Sequence, residues 1–167
     1  VLIVDGANKP FRFRMEGTGV LTSRTFITEE ITVSGTVAPK VGTIHDKHFV
    51  VAGDVSQKNT IFFSGVNEVN NFSAATAGNI SLEDAVVGIK SFRNELFIFC
   101  RESIHKLINI NDSTSIAIVP VTDNVGCLDG QSIQEIAGDL IFLAPDGFRT
   151  VAGTSRIGDI ELSSISK

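Results

Sequence analysis

"AGDLIFLAPDGFRTVAG", residues 137–153, reads as two β-strands joined by a tight turn. Leu140 to Leu143 is an unbroken run of large apolar residues. Pro145-Asp146-Gly147 breaks it, and Phe148 to Val151 resumes it. Proline pre-sets φ for the second position of a turn, and glycine accepts a positive φ without a Cβ clash. Nearly the same pattern stands earlier, at residues 92–109, as "FRNELFIFCRESIHKLIN". Setting Leu96 on Leu140, 44 residues later, aligns the two stretches without a gap. Ile89 then meets Ile133, Phe92 meets Ile136, and Glu95 meets Asp139. Phe97-Ile98-Phe99 meets Ile141-Phe142-Leu143, Ile104 meets Phe148, and Leu107 meets Val151. The predicted unit is a meander of three strands. A short first strand leads through a two-residue turn at Asn94 or Gly138 into a central strand, and a second turn leads to an outer strand. Because the central strand is apolar on both faces, it must be covered on both sides.

A looser copy lies upstream. "VGTIHDKHFVVAG" repeats the short strand, the polar turn and an apolar strand, Phe49–Ala52; "DVSQKN" is a longer loop, and "TIFFS" is the next strand. The opening "VLIVDGANKPFRFR" resembles the second half of a still earlier copy, with Leu2–Val4 central, a turn from Asp5-Gly6, and Phe11–Phe13 beyond it. "TFITEEITV", 25–33, is a further strand or strand pair rich in Thr, Ile and Val. The stretch 65–78, rich in Asn, Ala, Ser and Gly, reads as a connection between units. In "SLEDAVVG", 81–88, Ser81 and Asp84 form a weak capping pattern for one helical turn. Short strands recurring every 40 to 45 residues are the sign of propeller blades, each a small sheet that buries its faces only against its neighbours. The expected fold class is therefore all-β: a β-propeller-like arrangement of meander sheets, in approximate units 1–35, 36–78, 79–126 and 127–167. A β-sandwich is the alternative. Four units fit an arc of a larger ring better than a closed ring. The start at Val1 and the end on "SSISK" suggest a piece of a longer chain.

The 167 residues suffice for one domain with a real core. Hydrophobic residues make up 43% and charged residues 20%, the balance of a packed chain. A net charge of −5 argues against a dedicated nucleic-acid binder, which needs a positive footprint. No run of 18 apolar residues predicts a membrane helix, and no basic segment leads into an apolar one as in a signal peptide. The aromatic residues are 12 Phe with no Trp or Tyr. Sugar- and peptide-binding surfaces favour Trp and Tyr for their polar handles, whereas Phe alone suits a core.

Residues able to carry chemistry are scattered. His45 and His48 in "HDKH" are the start of a metal set without a third ligand, and a solvated turn is the simpler reading. Cys100 and Cys127 are the only cysteines. Cys100 sits in an apolar run and reads as a buried thiol. Cys127, in "DNVGCLDG" between Asp123 and Asp129, lacks the positive surroundings of a nucleophile. Asn67, Glu68, Asn70 and Asn71 offer oxygens to calcium, with one carboxylate and no EF-hand spacing. "GTSRIGD", 153–159, has no phosphate-loop lysine. Arg101, His105, Lys106, Arg149 and Arg156 fall near the outer strands, either as a patch for phosphate or as charges protecting sheet edges. No catalytic, cofactor-binding or metal residue is assigned, and no cofactor is expected.

Three stretches, "FFSGVNEVNNFS", "VVGIKSFRNELFIFCRESIHKL" and "DLIFLAPDGFRTVAGTSRIGDIELSSISK", resemble the propeller-like region of bacteriophage virion proteins of the tail-nozzle or tail-stabilisation type. "VLIVDGANKPFRF" is similar to the way such chains open a blade. The likeness covers most of the chain and is weakest over 17–40. It implies a structural protein of the virion tail, not an enzyme, assembled in the host cytoplasm. Its partners would be copies of itself in a ring and neighbouring tail proteins. DNA would pass through the ring during genome ejection without specific binding, and no membrane or small-molecule substrate is implied. The alternative is a soluble propeller module that binds a sugar or peptide at its mouth.

Overall fold

The computed structural model describes residues 1–17, 24–33 and 37–151. It is all-β, with four antiparallel sheets, none closed into a barrel. The first sheet holds β1 (Leu2–Ile3), β2 (Phe11–Glu16) and β3 (Thr25–Glu30). The second holds β4 (Val41–His45), β5 (His48–Ala52), β6 (Thr60–Phe63) and β7 (Gly78–Ser81). The third holds β8 (Val86–Phe92), β9 (Glu95–Cys100), β10 (Ile104–Ile108) and β11 (Ala117–Thr122). The fourth holds β12 (Gln134–Ile136), β13 (Asp139–Ala144) and β14 (Gly147–Thr150). Within each sheet the strands follow one another in chain order, so each is a meander.

The 44-residue repeat appears pair by pair in the hydrogen-bonded register. Phe92 opposes Glu95 as Ile136 opposes Asp139, and Ser91 opposes Leu96 as Glu135 opposes Leu140. Across the next strand, Phe99 opposes Ile104 as Leu143 opposes Phe148, and Phe97 opposes Lys106 as Ile141 opposes Thr150. The upstream copy keeps the same first hairpin 47 residues earlier, where His45 opposes His48 and Ile44 opposes Phe49. All three first hairpins turn on two residues with positive φ: Asp46-Lys47, Arg93-Asn94 and Ala137-Gly138. Two left-handed residues in succession give the turn whose twist matches the strands it joins.

Side chains alternate across a strand, so a central strand with a sheet on each side, such as β5 or β9, serves two cores. In β9, Leu96, Ile98 and Cys100 face Val50, Ala52, Ile61 and Phe63 of the second sheet. Phe97 and Phe99 face Leu140, Phe142 and Ala144 of the fourth. In β5, Phe49 and Val51 face the other way, toward Ile31, Val33 and Leu2 around the first sheet. The sheets therefore stack face to face in chain order, with an apolar layer at each seam. The two-sided burial expected of the central strands holds for β5 and β9, where every residue is buried except Glu95 at the start of β9. It does not hold for β13, where Leu140, Phe142 and Ala144 are buried against the third sheet but Ile141 and Leu143, on the other face, are half-buried.

Three local expectations are corrected. Segment 65–78 does not join two units: it joins β6 to β7 within the second sheet, which runs from Val41 to Ser81. The capping pattern at Ser81 makes no helix, because Ser81 ends β7 and Val86 already begins β8. The third sheet has four strands, since Ala117–Thr122 pairs along the outside of β10. Pro120 is tolerated there because β11 is an edge strand, where no neighbour requires its missing N–H.

Candidate functional site

The first strands of the sheets converge. β4 packs beside β8, and the 3-10 turn Gly130–Ser132 that leads into β12 packs against β8. Glycines make the approach close: a Cβ on Gly130 would overlap the Val87 carbonyl oxygen, and one on Gly88 would overlap the Ile133 side chain. Two adjoining clefts follow this inner edge and share Lys40, Val41, Gly130 and Gln131. One, of about 470 Å³, is lined among others by Asp54, Lys58, Arg101 and Asp129. The other, of about 330 Å³, also receives Val4, Thr43, Lys90 and Gln134, so all four sheets reach it.

The carboxylates in these clefts are already engaged. Asp54 accepts hydrogen bonds from the backbone N–H groups of Ala38 (2.6 Å), Ser56 (2.8 Å) and Gln57 (3.1 Å), and from the Ser56 hydroxyl (2.5 Å). Burial pushes its carboxyl up, but these bonds together outweigh burial and hold it below the ordinary value. Asp129 caps the 3-10 turn by accepting from the Gln131 N–H at 2.9 Å. Both acids act as structural acceptors for their own loops. Among the described residues, none of the ion pairs involves Lys40, Lys58, Lys90 or Arg101. The inner edge thus presents free cations in a chain of net charge −5.

The HDKH stretch differs from its reading as a solvated turn. Asp46 and Lys47 are exposed, but His45 and His48 are buried. They are direct cross-strand partners, which places both rings on one face of the hairpin. His45 Nδ1 lies 2.9 Å from Ser91 Oγ in β8, a bond between sheets. His48 Nδ1 meets the Ser64 carbonyl oxygen at 2.5 Å, and its Nε2 meets Asn111 Oδ1 of the third sheet at 3.1 Å. Burial pushes the His45 pKa down; nearby Asp46 opposes this and His48 adds to it. The pair ties the second sheet to the third. Nothing in the spacing of the two histidines signals burial; their flanking apolar strands do.

The remaining candidates stay apart. Cys100 and Cys127 are free and buried, joined only through the backbone, where Cys127 N–H donates to the Cys100 carbonyl at 2.8 Å. Burial pushes the Cys100 thiol up to about 12 and raises Cys127 as well, so neither is a ready thiolate. Asn71 donates to Glu68 at 2.6 Å and Asn70 to Glu29 at 3.2 Å, so these oxygens serve the β6–β7 loop and its contact with β3. The basic residues do not converge on a phosphate. Lys106 pairs with Glu95 at 2.7 Å over the Phe97 ring, Arg149 pairs with Asp146, and His105 bonds Ser103 at 2.9 Å. Nor do His105 and Lys106 protect an edge, because β11 covers β10. Arg156 and the whole of "GTSRIGD", residues 153–159, lie outside the described residues. Among the described residues, no three His, Cys, Asp or Glu groups gather as a metal site, and no helix is long and apolar enough to cross a membrane.

No protein-family model matches the chain, and no curated protein is significantly similar to it.

Proposed function

We propose that this chain is an arc of a β-propeller in a structural protein of a phage virion, part of the tail or nozzle ring through which the genome is ejected, and that it acts by assembly rather than by turnover. The observation that carries the reading is the in-register repetition of meanders stacked face to face, with their first strands gathered along one inner edge. Propeller blades bury their faces in this way, sheet against sheet around an axis. The phage-like stretches 62–73, 86–107 and 139–151 fall on described parts of this repeat: the end of β6 with its loop, β8 to β10, and β13 with β14. Neighbouring tail proteins and sister subunits are the partners, and DNA passes without specific binding. The protein is assembled in the host cytoplasm and ends in the virion.

A ligand-binding propeller is the second reading, favoured by the 470 Å³ cleft with its free Lys58 and Arg101. One experiment separates the two. Virions are purified on a density gradient and the protein is located in them by immunolabelling, while light scattering gives the mass of the full-length product. Virion-bound label and an oligomeric mass support the structural reading. A protein absent from virions and monomeric refutes it and moves the ligand-binding reading forward.

A further inference from the structure

We infer that the 470 Å³ cleft where the second, third and fourth sheets meet is a binding site for a phosphate group carried on a small ligand, with Lys40, Lys58 and Arg101 as its cations. One peptide group fixes two of the three. The Ala85 carbonyl accepts from the Arg101 N–H at 3.1 Å, and the Val86 N–H, on the other side of the same peptide bond, donates to the Lys58 carbonyl at 2.8 Å. Lys58 and Arg101 are far apart in the chain, yet they are held at opposite edges of one peptide plane. Lys40 joins them from the residue before β4. Its N–H donates to the Ala52 carbonyl at 3.0 Å, and its stem lies over Gly6, where a Cβ would overlap Lys40 Cγ. The site is built between sheets of this one chain, away from the outward faces of the first and fourth.

Like charges gathered in one space call for an anion, and the cleft's own acids do not serve. Asp54 spends its oxygens on its own loop and on the Ala38 N–H, and Asp129 caps the 3-10 turn. Arg101 also borders an adjoining cleft that holds Glu102 and Asp123, and it pairs with neither. The charge pattern selects the ligand class. A guanidinium fork takes two oxygens of a phosphate side by side, and two ammonium groups serve the rest as point charges. A single carboxylate, with one charge and two oxygens, would leave cations unmatched. No aromatic ring lines the cleft, so nothing there stacks the bases of a nucleic-acid strand. Val55 and Leu128, 64% and 57% exposed, flank the cations as apolar walls for the body of a small ligand.

Isothermal titration calorimetry with inorganic pyrophosphate tests the site. The unmodified protein is expected to bind one pyrophosphate, less tightly as sodium chloride is added. Lys58→Gln combined with Arg101→Gln is expected to weaken binding about tenfold or more, the loss of charge-assisted hydrogen bonds. Lys47→Gln combined with Arg24→Gln removes the same two kinds of charge outside the cleft and is expected to leave binding unchanged. All four side chains are exposed, and thermal melts confirm that both variants fold. No binding by the unmodified protein, equal affinity in the cleft variant, or an equal loss in the control variant overturns the inference. A short single-stranded oligonucleotide is titrated in parallel; a strand that binds through Lys58 and Arg101 where pyrophosphate does not also overturns it. The virion assignment does not depend on these titrations, because immunolabelling decides it separately.

Discussion

Phe99 and Leu143 occupy the same place in two copies of the repeat, yet removing them should not cost the same. Phe99 is fully buried in the seam between the third and fourth sheets, with its ring 5.3 Å from that of Phe142 and Leu140 and Ile104 in the same cluster. Truncation to alanine there removes an aromatic side chain, leaves a cavity and breaks a tilted ring pair, a loss of about 3–5 kcal/mol. A domain of this kind has about 5–15 kcal/mol in all, so Phe99→Ala brings it close to unfolding. Leu143 lies on the opposite face of β13 from the seam and is half-buried, with no sheet over it among the described residues. A leucine in a packed core costs about 2–5 kcal/mol on truncation, whereas a half-exposed one costs about 1 kcal/mol. The controls are Leu96→Ala and Leu140→Ala, equivalent positions that are both 0% exposed, which should both show the full core loss. Urea unfolding followed by far-ultraviolet circular dichroism gives the four midpoints, at a concentration where light scattering shows monomer. Equal losses for Phe99→Ala and Leu143→Ala, or unlike losses for the two leucine controls, would refute the stacking argument.

Lys58→Ala, in the exposed loop before β6, should shift stability by no more than about 0.5 kcal/mol in the same assay. Gly130→Ala should cost about 1–3 kcal/mol, because its new Cβ would press the Val87 carbonyl and force the inner edges of the third and fourth sheets apart; a neutral effect would mean that the edges do not touch there. Stability should fall as pH drops below about 6.5, since the His45 pKa is depressed in the fold and the unfolded chain takes up the proton first. Midpoints measured from pH 7.5 to 5 should show this slope, and His45→Asn should flatten it. Cys100 and Cys127 should resist a thiol-reactive dye in the native protein and react only on unfolding; rapid labelling at pH 8 would contradict their burial.

The central strands were legible because their sequence carries two signals at once. "LFIFC" is apolar at both odd and even positions, and only a strand with a sheet on each side uses both sets. β7 and β11 were harder to read for the opposite reason. β7 alternates between half-buried and exposed residues, and most of β11 is only half-buried, so their apolar content is thin. Pro120 also argues against a strand until the strand is known to lie at an edge. The turns were legible in position but not in type: Asn94 and Gly138 announce a turn, whereas Lys47, Arg93 and Ala137 give no sign that they adopt positive φ. Tertiary pairing imposes that conformation, since Phe92 must meet Glu95 across two residues.

The inner edge was the least legible part, and the reason is geometric. Lys40, Lys58, Lys90 and Arg101 come from four different loops or strands, and no spacing in the chain relates them. They converge only because successive sheets present their first strands to one side, a consequence of every unit being wound in the same order. The same logic explains why the histidines misled. Read along the chain, His45 and His48 are three apart at a polar turn, which suggests solvent or a half-formed metal set. Read across the hairpin they are opposite one another, and the sheet that packs on that hairpin supplies Ser91 and Asn111 as their partners. Each ring nitrogen that a metal would need is committed to a neighbour, except His45 Nε2, which faces Asp46 at 4.0 Å. The pair therefore acts as a polar fastening between two apolar seams. Replacing either histidine should be felt in how the second and third sheets hold together.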